Sequence, residues 1–156
     1  MRLRSFLALV GFVGVSLAAG FLGSMAVVGS VNGWYATLIA PAWTPPNAVF
    51  GPVWTILYVL MGSAAYLVSR SPRIGKVFAI WLFLAHLLLN AFWSIAFFGM
   101  HEILLSLVVI VLLLSIVIVL AALFYRYSRT AGYLMIPYVL WVAYATTLNI
   151  GFLVLN

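Results

Sequence analysis

The sequence predicts an all-α integral membrane protein: a bundle of five transmembrane helices with its N-terminus in the cytoplasm and its C-terminus outside. Three observations predict it. Of the 156 residues, 68% are hydrophobic and only 5% are charged, whereas a soluble domain carries roughly 45–50% apolar and about 25% charged residues. The charges fall in clusters separated by long uncharged stretches. The cations also occupy alternate connections between those stretches. So few charges cannot cover a water-facing surface, which excludes a soluble enzyme and a disordered tail, and the lack of cysteine excludes a disulfide scaffold. The isoelectric point near 10.1 does not indicate nucleic acid, because seven Lys/Arg cannot form a phosphate-tracking stripe.

The spans follow from the gaps between charges. Residues 5–69 form one uncharged block, followed by 77–101, 103–125 and 130–156. A spanning helix needs about 20 apolar residues, so each of the last three blocks holds one helix. The first block is long enough for two and carries breakers in its middle: Gly29, Ser30, Asn32, Gly33, Pro41, Pro45, Pro46, Gly51 and Pro52. The expected helices are 5–28, 48–69, 77–99, 103–125 and 131–154, with a lid loop over 29–47, all in a single membrane domain covering 1–156.

The first span has Arg2 and Arg4 before it and Ser16-Leu17-Ala18 within it, as a cleaved signal peptide would. Its apolar run from Phe6 to Val28 exceeds the roughly 7–15 residues of a signal core, so it is read as a retained helix. Ser16, Gly20 and Ser24 recur every fourth residue beside Ala19 and Gly23. Small residues at this spacing let helix backbones approach closely, either within the chain, the reading adopted, or across a dimer seam.

The second, third and fifth spans hold the aromatic and polar residues. On the second, Trp54, Tyr58 and Met61 share a face. On the third, His86, Asn90 and Ser94 do so beside Trp93 and Phe97. On the fifth, Tyr138, Trp141, Ala145 and Asn149 form another such row. Asn and His are costly in hydrocarbon unless they point to partners or a cavity, so the three faces are expected to converge. For Asn90 and Asn149 alone, interhelical hydrogen bonding is an equally good account. The fourth span, Ile103–Phe124, is almost all Leu, Val and Ile apart from Ser106 and Ser115, which suits a lipid-facing scaffold.

All seven cations lie before the first span (Arg2, Arg4), between the second and third (Arg70, Arg73, Lys76) or between the fourth and fifth (Arg126, Arg129). By the positive-inside rule these ends are cytoplasmic, and the lid loop, Glu102 and Asn156 face outward. The default location is a bacterial inner membrane.

Six tryptophans exceed what the membrane interface requires. Trp34 and Trp43 fit an interfacial belt; Trp54 and Trp141 lie too deep for it. Aromatic walls with a few polar groups suit a flat, largely apolar ligand. No carboxylate lies within a span, so the buried acid that couples protons to transport is absent. There is neither a Ser-His-acid set nor a carboxylate pair for acid–base catalysis. No metal site is expected, because His86 and His101 stand roughly 22 Å apart along a helix. His86 could ligate a haem iron singly, but it reads better as a packed, hydrogen-bonded side chain.

The loop sequence Trp34-Tyr35-Ala36-Thr37-Leu38-Ile39-Ala40-Pro41-Ala42-Trp43-Thr44-Pro45-Pro46 resembles the WYxxLxxPxWxPP signature of the TspO/MBR family. The likeness continues through Gly51-Pro52-Val53-Trp54, Leu57-Tyr58, Met61-Gly62, Leu89-Asn90, Trp93, Phe97-Phe98-Gly99, Pro137-Tyr138, Leu140-Trp141 and Ala145-Thr146-Thr147-Leu148-Asn149. It implies a five-helix bundle, usually a homodimer, with a pocket under the loop. The ligands it implies are porphyrins (protoporphyrin IX, haem), sterols, and drugs of the benzodiazepine and isoquinoline type. No cofactor is required; porphyrin or haem would be the ligand. Carried over by position, the pocket would comprise Tyr35, Pro45, Trp54, Tyr58, Asn90, Trp93, Phe97, Tyr138, Trp141, Ala145 and Asn149, and His86 joins its wall. The implied function is a membrane receptor for tetrapyrroles. A lipophile carrier is an alternative, as is a slow light-dependent porphyrin-degrading enzyme acting through Trp54 and Trp141. Departures from the family pattern are Ala40 in place of a lysine, His86 in place of a glutamine, and Ile95 in place of a proline, the last implying a straighter third helix. The sterol motif near the end of the fifth span is absent, which argues against cholesterol.

Overall fold

The computed structural model describes residues 3–156; Arg2, counted in the charge pattern, lies outside them. The chain folds into α1 (Leu3–Ser30), a short α2 (Trp34–Thr37), α3 (Asn47–Ser69), α4 (Lys76–Ser94) with a π-helical extension Ile95–Gly99, α5 (Ile103–Tyr127) and α6 (Arg129–Leu155). Five helices, α1, α3, α4 with its extension, α5 and α6, are long and apolar enough to cross a membrane. They match the five expected spans to within a few residues at each end. The lid differs by containing the one-turn helix α2. The described cations Arg4, Arg70, Arg73, Lys76, Arg126 and Arg129 all fall at one end of the bundle. There Lys76 Nζ donates to the Ser69 and Ser71 carbonyls at 2.9 and 2.8 Å, and Arg73 donates to the Arg126 carbonyl. These bonds satisfy carbonyls at the end of α3 and near the end of α5 that have no partner within their own helix.

The small residues of α1 pack within the chain. Gly62 of α3 lies so close to α1 that a Cβ there would stand 2.7 Å from Val13 Cα, and Gly20 lies against the Tyr58 ring. Gly23 faces Ser94, whose Oγ donates to the Gly23 carbonyl at 2.9 Å. The α1 stripe is therefore a seam to α3 and α4.

Two expectations require correction. The third span is not straightened by having Ile95 in place of proline. Its last turn widens into a π-helix, with Met100 N–H donating to the Ile95 carbonyl at 2.8 Å. The extra residue per turn lets adjacent Phe97 and Phe98 both turn inward, where they meet at 4.8 Å, and both pack on Tyr35 of the lid. Single π-turns of this kind commonly occur at functional sites. Nor is α5 only a lipid-facing scaffold. Ser106, Val109, Ile110, Leu113, Val117, Leu120 and Phe124 form a buried stripe packed mainly on α6 and α4, while Leu104, Val108, Leu112 and Val119 face outward. Leu, Val and Ile suit lipid and core equally well, so composition does not separate the two faces.

Candidate ligand-binding site

Two cavities lie toward the lid end of the bundle. The larger, about 430 Å³, is walled by α1 from Leu17 to Val28, by α3 from Asn47 to Tyr58, and by Asn90, Trp93, Ser94 and Phe98 of the third span, with Val31 and Tyr35 above. This volume falls in the range of about 300–1,000 Å³ typical of small-molecule sites. The smaller, about 40 Å³, lies under the lid among Tyr35, Phe50, Trp93, Phe97, Phe98, Ala145, Leu148, Asn149 and Phe152.

Tyr35, Trp54, Tyr58, Asn90 and Trp93, all expected site residues, line the larger cavity. Phe97, Ala145 and Asn149 line the smaller, which Tyr35 and Trp93 share. Pro45, His86, Tyr138 and Trp141 line neither. Tyr138 is fully buried behind the cavity floor. Trp141 stands perpendicular to Trp54 at 6.5 Å, and its indole N–H is buried without an acceptor. His86 is also fully buried, with Nδ1 bonded to the Phe83 carbonyl, Nε2 without a partner, and its ring 5.7 Å from Tyr138.

Sequence reasoning did not place the α1 wall of Leu17, Phe21, Val27 and Val28 in the site, since apolar residues turned to lipid or to a lipophilic cavity have the same composition. The one available signal was the small-residue stripe. Gly20, Gly23 and Ser24 line the cavity as well as serving the seam.

Aromatic and polar side chains fix the geometry. Trp54 stacks on Tyr58 at 5.7 Å and lies 6.0 Å from Trp93. At the floor, Tyr58 Oη donates to Asn90 Oδ1 at 2.5 Å, and Asn90 Nδ2 donates to Tyr138 Oη at 3.0 Å, joining α3, α4 and α6. Trp93 Nε1 donates to Asn149 Oδ1 at 3.0 Å; Asn149 in turn bonds Ser106 Oγ and the Ile103 carbonyl. The Tyr58 phenol and the Trp93 indole are thus held by hydrogen bonds to neighbouring helices, and Trp54 packs against both rings.

The lid is fastened at four points. Trp34 stacks on His101 at 4.4 Å, and His101 adopts a left-handed backbone (φ 61°) at the turn before α5. Ile39 N–H donates to Asn156 Oδ1 at 2.9 Å, and Asn156 Nδ2 donates back to the Ile39 carbonyl at 3.1 Å. Tyr144 Oη donates to the Trp43 carbonyl at 2.6 Å. Pro41 is buried against Gly151, where a Cβ would collide with it. Trp34 is therefore a lid anchor more than a belt residue, whereas Trp43 is 54% exposed. Burial raises the Tyr35 phenol above its ordinary 10.0, so it stays a neutral hydrogen-bonding group.

Residues 12–155 match the model of the TspO/MBR family. The chain is 39% identical to the tryptophan-rich protein TspO of Chlorobaculum tepidum, over 98% of each chain. It is 36% identical to the translocator protein of Sus scrofa, over 90% of this chain and 85% of that one. It is also 36% identical to the tryptophan-rich sensory protein of Cereibacter sphaeroides, over 79% and 77%. With five spanning helices and this match over most of its length, the chain is an integral membrane protein and belongs to the TspO/MBR family.

Proposed function

We propose that this protein is a membrane receptor for flat, largely apolar ligands of the tetrapyrrole class, protoporphyrin IX or haem, held in the cavity between α1, α3 and the third span. The observation that carries the reading is a cavity of about 430 Å³ with Trp54, Tyr58 and Trp93 in one wall and Tyr35 above it. Aromatic rings fixed by hydrogen bonds (Tyr58, Trp93) and by mutual packing (Trp54) suit a planar π-system at little ordering cost. Drugs of the benzodiazepine and isoquinoline type fit the same wall. The proposal includes a homodimer in a bacterial cytoplasmic membrane, with the basic end of the bundle inside. Protoporphyrin IX is expected to quench tryptophan fluorescence saturably in detergent micelles, with Trp54→Phe weakening binding about tenfold. Trp141→Phe, one ring further back, weakens it less. Unchanged titrations in both variants refute the site.

A second reading, photo-oxidative breakdown of the porphyrin, draws support from one feature. Trp54 has Trp93 at 6.0 Å and Trp141 at 6.5 Å, so electron-rich indoles cluster next to any ligand that is excited by light. This reading requires a defined product under light and oxygen, none in darkness, and loss of that product in Trp54→Phe. A carrier role requires porphyrin flux into proteoliposomes above that into protein-free liposomes.

A further inference from the structure

The sequence holds one acidic residue, Glu102, and it precedes α5 at the lid end. Arg126, in the last turn of the same helix, lies about 36 Å away at 1.5 Å per residue. The described cations, Arg4, Arg70, Arg73, Lys76, Arg126 and Arg129, therefore have no side-chain counter-ion at their own end of the bundle. Two of them are positioned by backbone carbonyls. Arg73 donates to the Arg126 carbonyl, which draws the α3–α4 connection onto the end of α5, and Lys76 Nζ donates to the Ser69 and Ser71 carbonyls. Gly75, in a left-handed turn (φ 86°), lies beside the Tyr127 hydroxyl at the same junction. A guanidinium carries five N–H donors, so Arg73 keeps donors to spare, and Arg70, Arg126 and Arg129 are exposed. The depth of this cluster is set by aromatic rings. Trp81 on α4, Tyr125 on α5 and Tyr133 on α6 are all exposed on the outer surface. Trp81 stands about 7.5 Å along its helix from Lys76, and Tyr133 about 6 Å from Arg129; Tyr125 adjoins Arg126. Amphipathic rings settle at the membrane–water interface, so the cations just beyond them stand at the level of the lipid phosphates. Ile74, at the tip of the α3–α4 connection beside Arg73, is fully exposed. Lipid at that level would cover it; water would not.

From this placement we infer that the basic end is a binding site for the headgroups of anionic phospholipids, centred on the α3–α4 connection and the α5–α6 junction. A phosphodiester there meets planar guanidinium donors that no existing ion pair has to release. Its net negative charge supplies the compensation that the chain lacks. A zwitterionic headgroup carries its own cation and gains less. A soluble anion would satisfy the same guanidinium groups but would leave Ile74 in water, so the lipid is the better-fitting occupant. Bound at this junction, the headgroup ties the α3–α4 connection to the start of α6, at the end of the bundle remote from the lid. The inference is independent of what the cavity holds.

The test is electron spin resonance of spin-labelled phosphatidylglycerol and phosphatidylcholine at the boundary of the full chain in phosphatidylcholine bilayers. Phosphatidylglycerol is expected to be preferred about fivefold, the effect of one cation near a charged lipid surface. Arg126→Gln with Arg129→Gln keeps the Arg126 carbonyl that holds Arg73, and the pair is expected to cut the preference by at least about half. Arg70→Gln is expected to lower it as well. The unaltered protein supplies a second measurement that needs no variant: raising the salt concentration is expected to weaken the preference, because these charges are exposed. Absence of a preference, or one unmoved by salt and by all these substitutions, overturns the inference. So does a rise in thermal midpoint in uncharged micelles as large with inorganic phosphate as with phosphatidylglycerol, since the site then recognises a free anion.

Discussion

Asn149 is the side chain on which three helices meet: its amide bonds Trp93 of α4, and Ser106 and the Ile103 carbonyl of α5, while it sits on α6 itself. Asn149→Ala leaves the Trp93 indole and the Ile103 carbonyl without this partner in an apolar interior. The expected loss is about 1–2 kcal/mol, at the upper end of what interhelical polar contacts contribute in membranes. A lowered thermal midpoint in detergent, with a shifted tryptophan emission spectrum, checks it. Both asparagines could be identified as interior residues from their helical spacing to aromatic neighbours. Whether each served as glue or as ligand contact could not, because that depends on partners from other helices. Asn149 is glue bordering the small cavity; Asn90 is at once part of the floor and a link between Tyr58 and Tyr138. His86 shows the same limit from the other side. Its four-residue spacing to Asn90 put it on the interior face, yet it lies one layer behind the cavity, sealed by Tyr138.

At the scale of elements, the lid is held by a few contacts that a single substitution can release. Asn156→Ala removes both hydrogen bonds to Ile39, and His101→Ala removes the stack under Trp34. Neither residue lines either cavity. Each variant is therefore expected to speed ligand release several-fold in stopped-flow displacement, with a smaller change in association. Equal release rates in both variants and the parent would show that the lid does not gate the cavity. Tyr35 adds a pH signature. Its raised value means that the neutral phenol is favoured in the folded lid, a contribution intact below pH 10 and lost as the pH rises through the raised value. The contribution of Tyr35 to release is expected to be flat from pH 6 to 9 and to change only above 10. The π-helical turn of the third span escaped sequence reading because Ile95–Gly99 carries no proline. The widening follows from placing Phe97 and Phe98 together against the lid, a demand set by tertiary packing.

The whole molecule divides along its length: cations and tight helix contact at one end, cavities and lid at the other. Gly62 closes α1 onto α3 on the basic side of the cavity. Gly62→Val pushes backbone against backbone there, with an expected destabilisation of about 1–3 kcal/mol, measured as a lower thermal midpoint. Spans and their basic ends were legible because charges are excluded from lipid for reasons that act residue by residue, whereas proline is tolerated there, as Pro52 in α3 and Pro137 in α6 show. The cavity was only half legible. Its α3 and α4 walls carry Trp, Tyr and Asn, whereas its α1 wall is built of Leu, Phe, Val and Gly, which lipid would accept equally well. The central claim is that ligand sits between α1, α3 and the third span, and photo-crosslinking with a diazirine-bearing porphyrin followed by peptide mass spectrometry tests it most directly. The account predicts adducts within residues 17–31 of the first helix region and 47–58 of α3, competed by unlabelled protoporphyrin IX. Competable adducts confined to the outer face of α5 or to the basic end would contradict it.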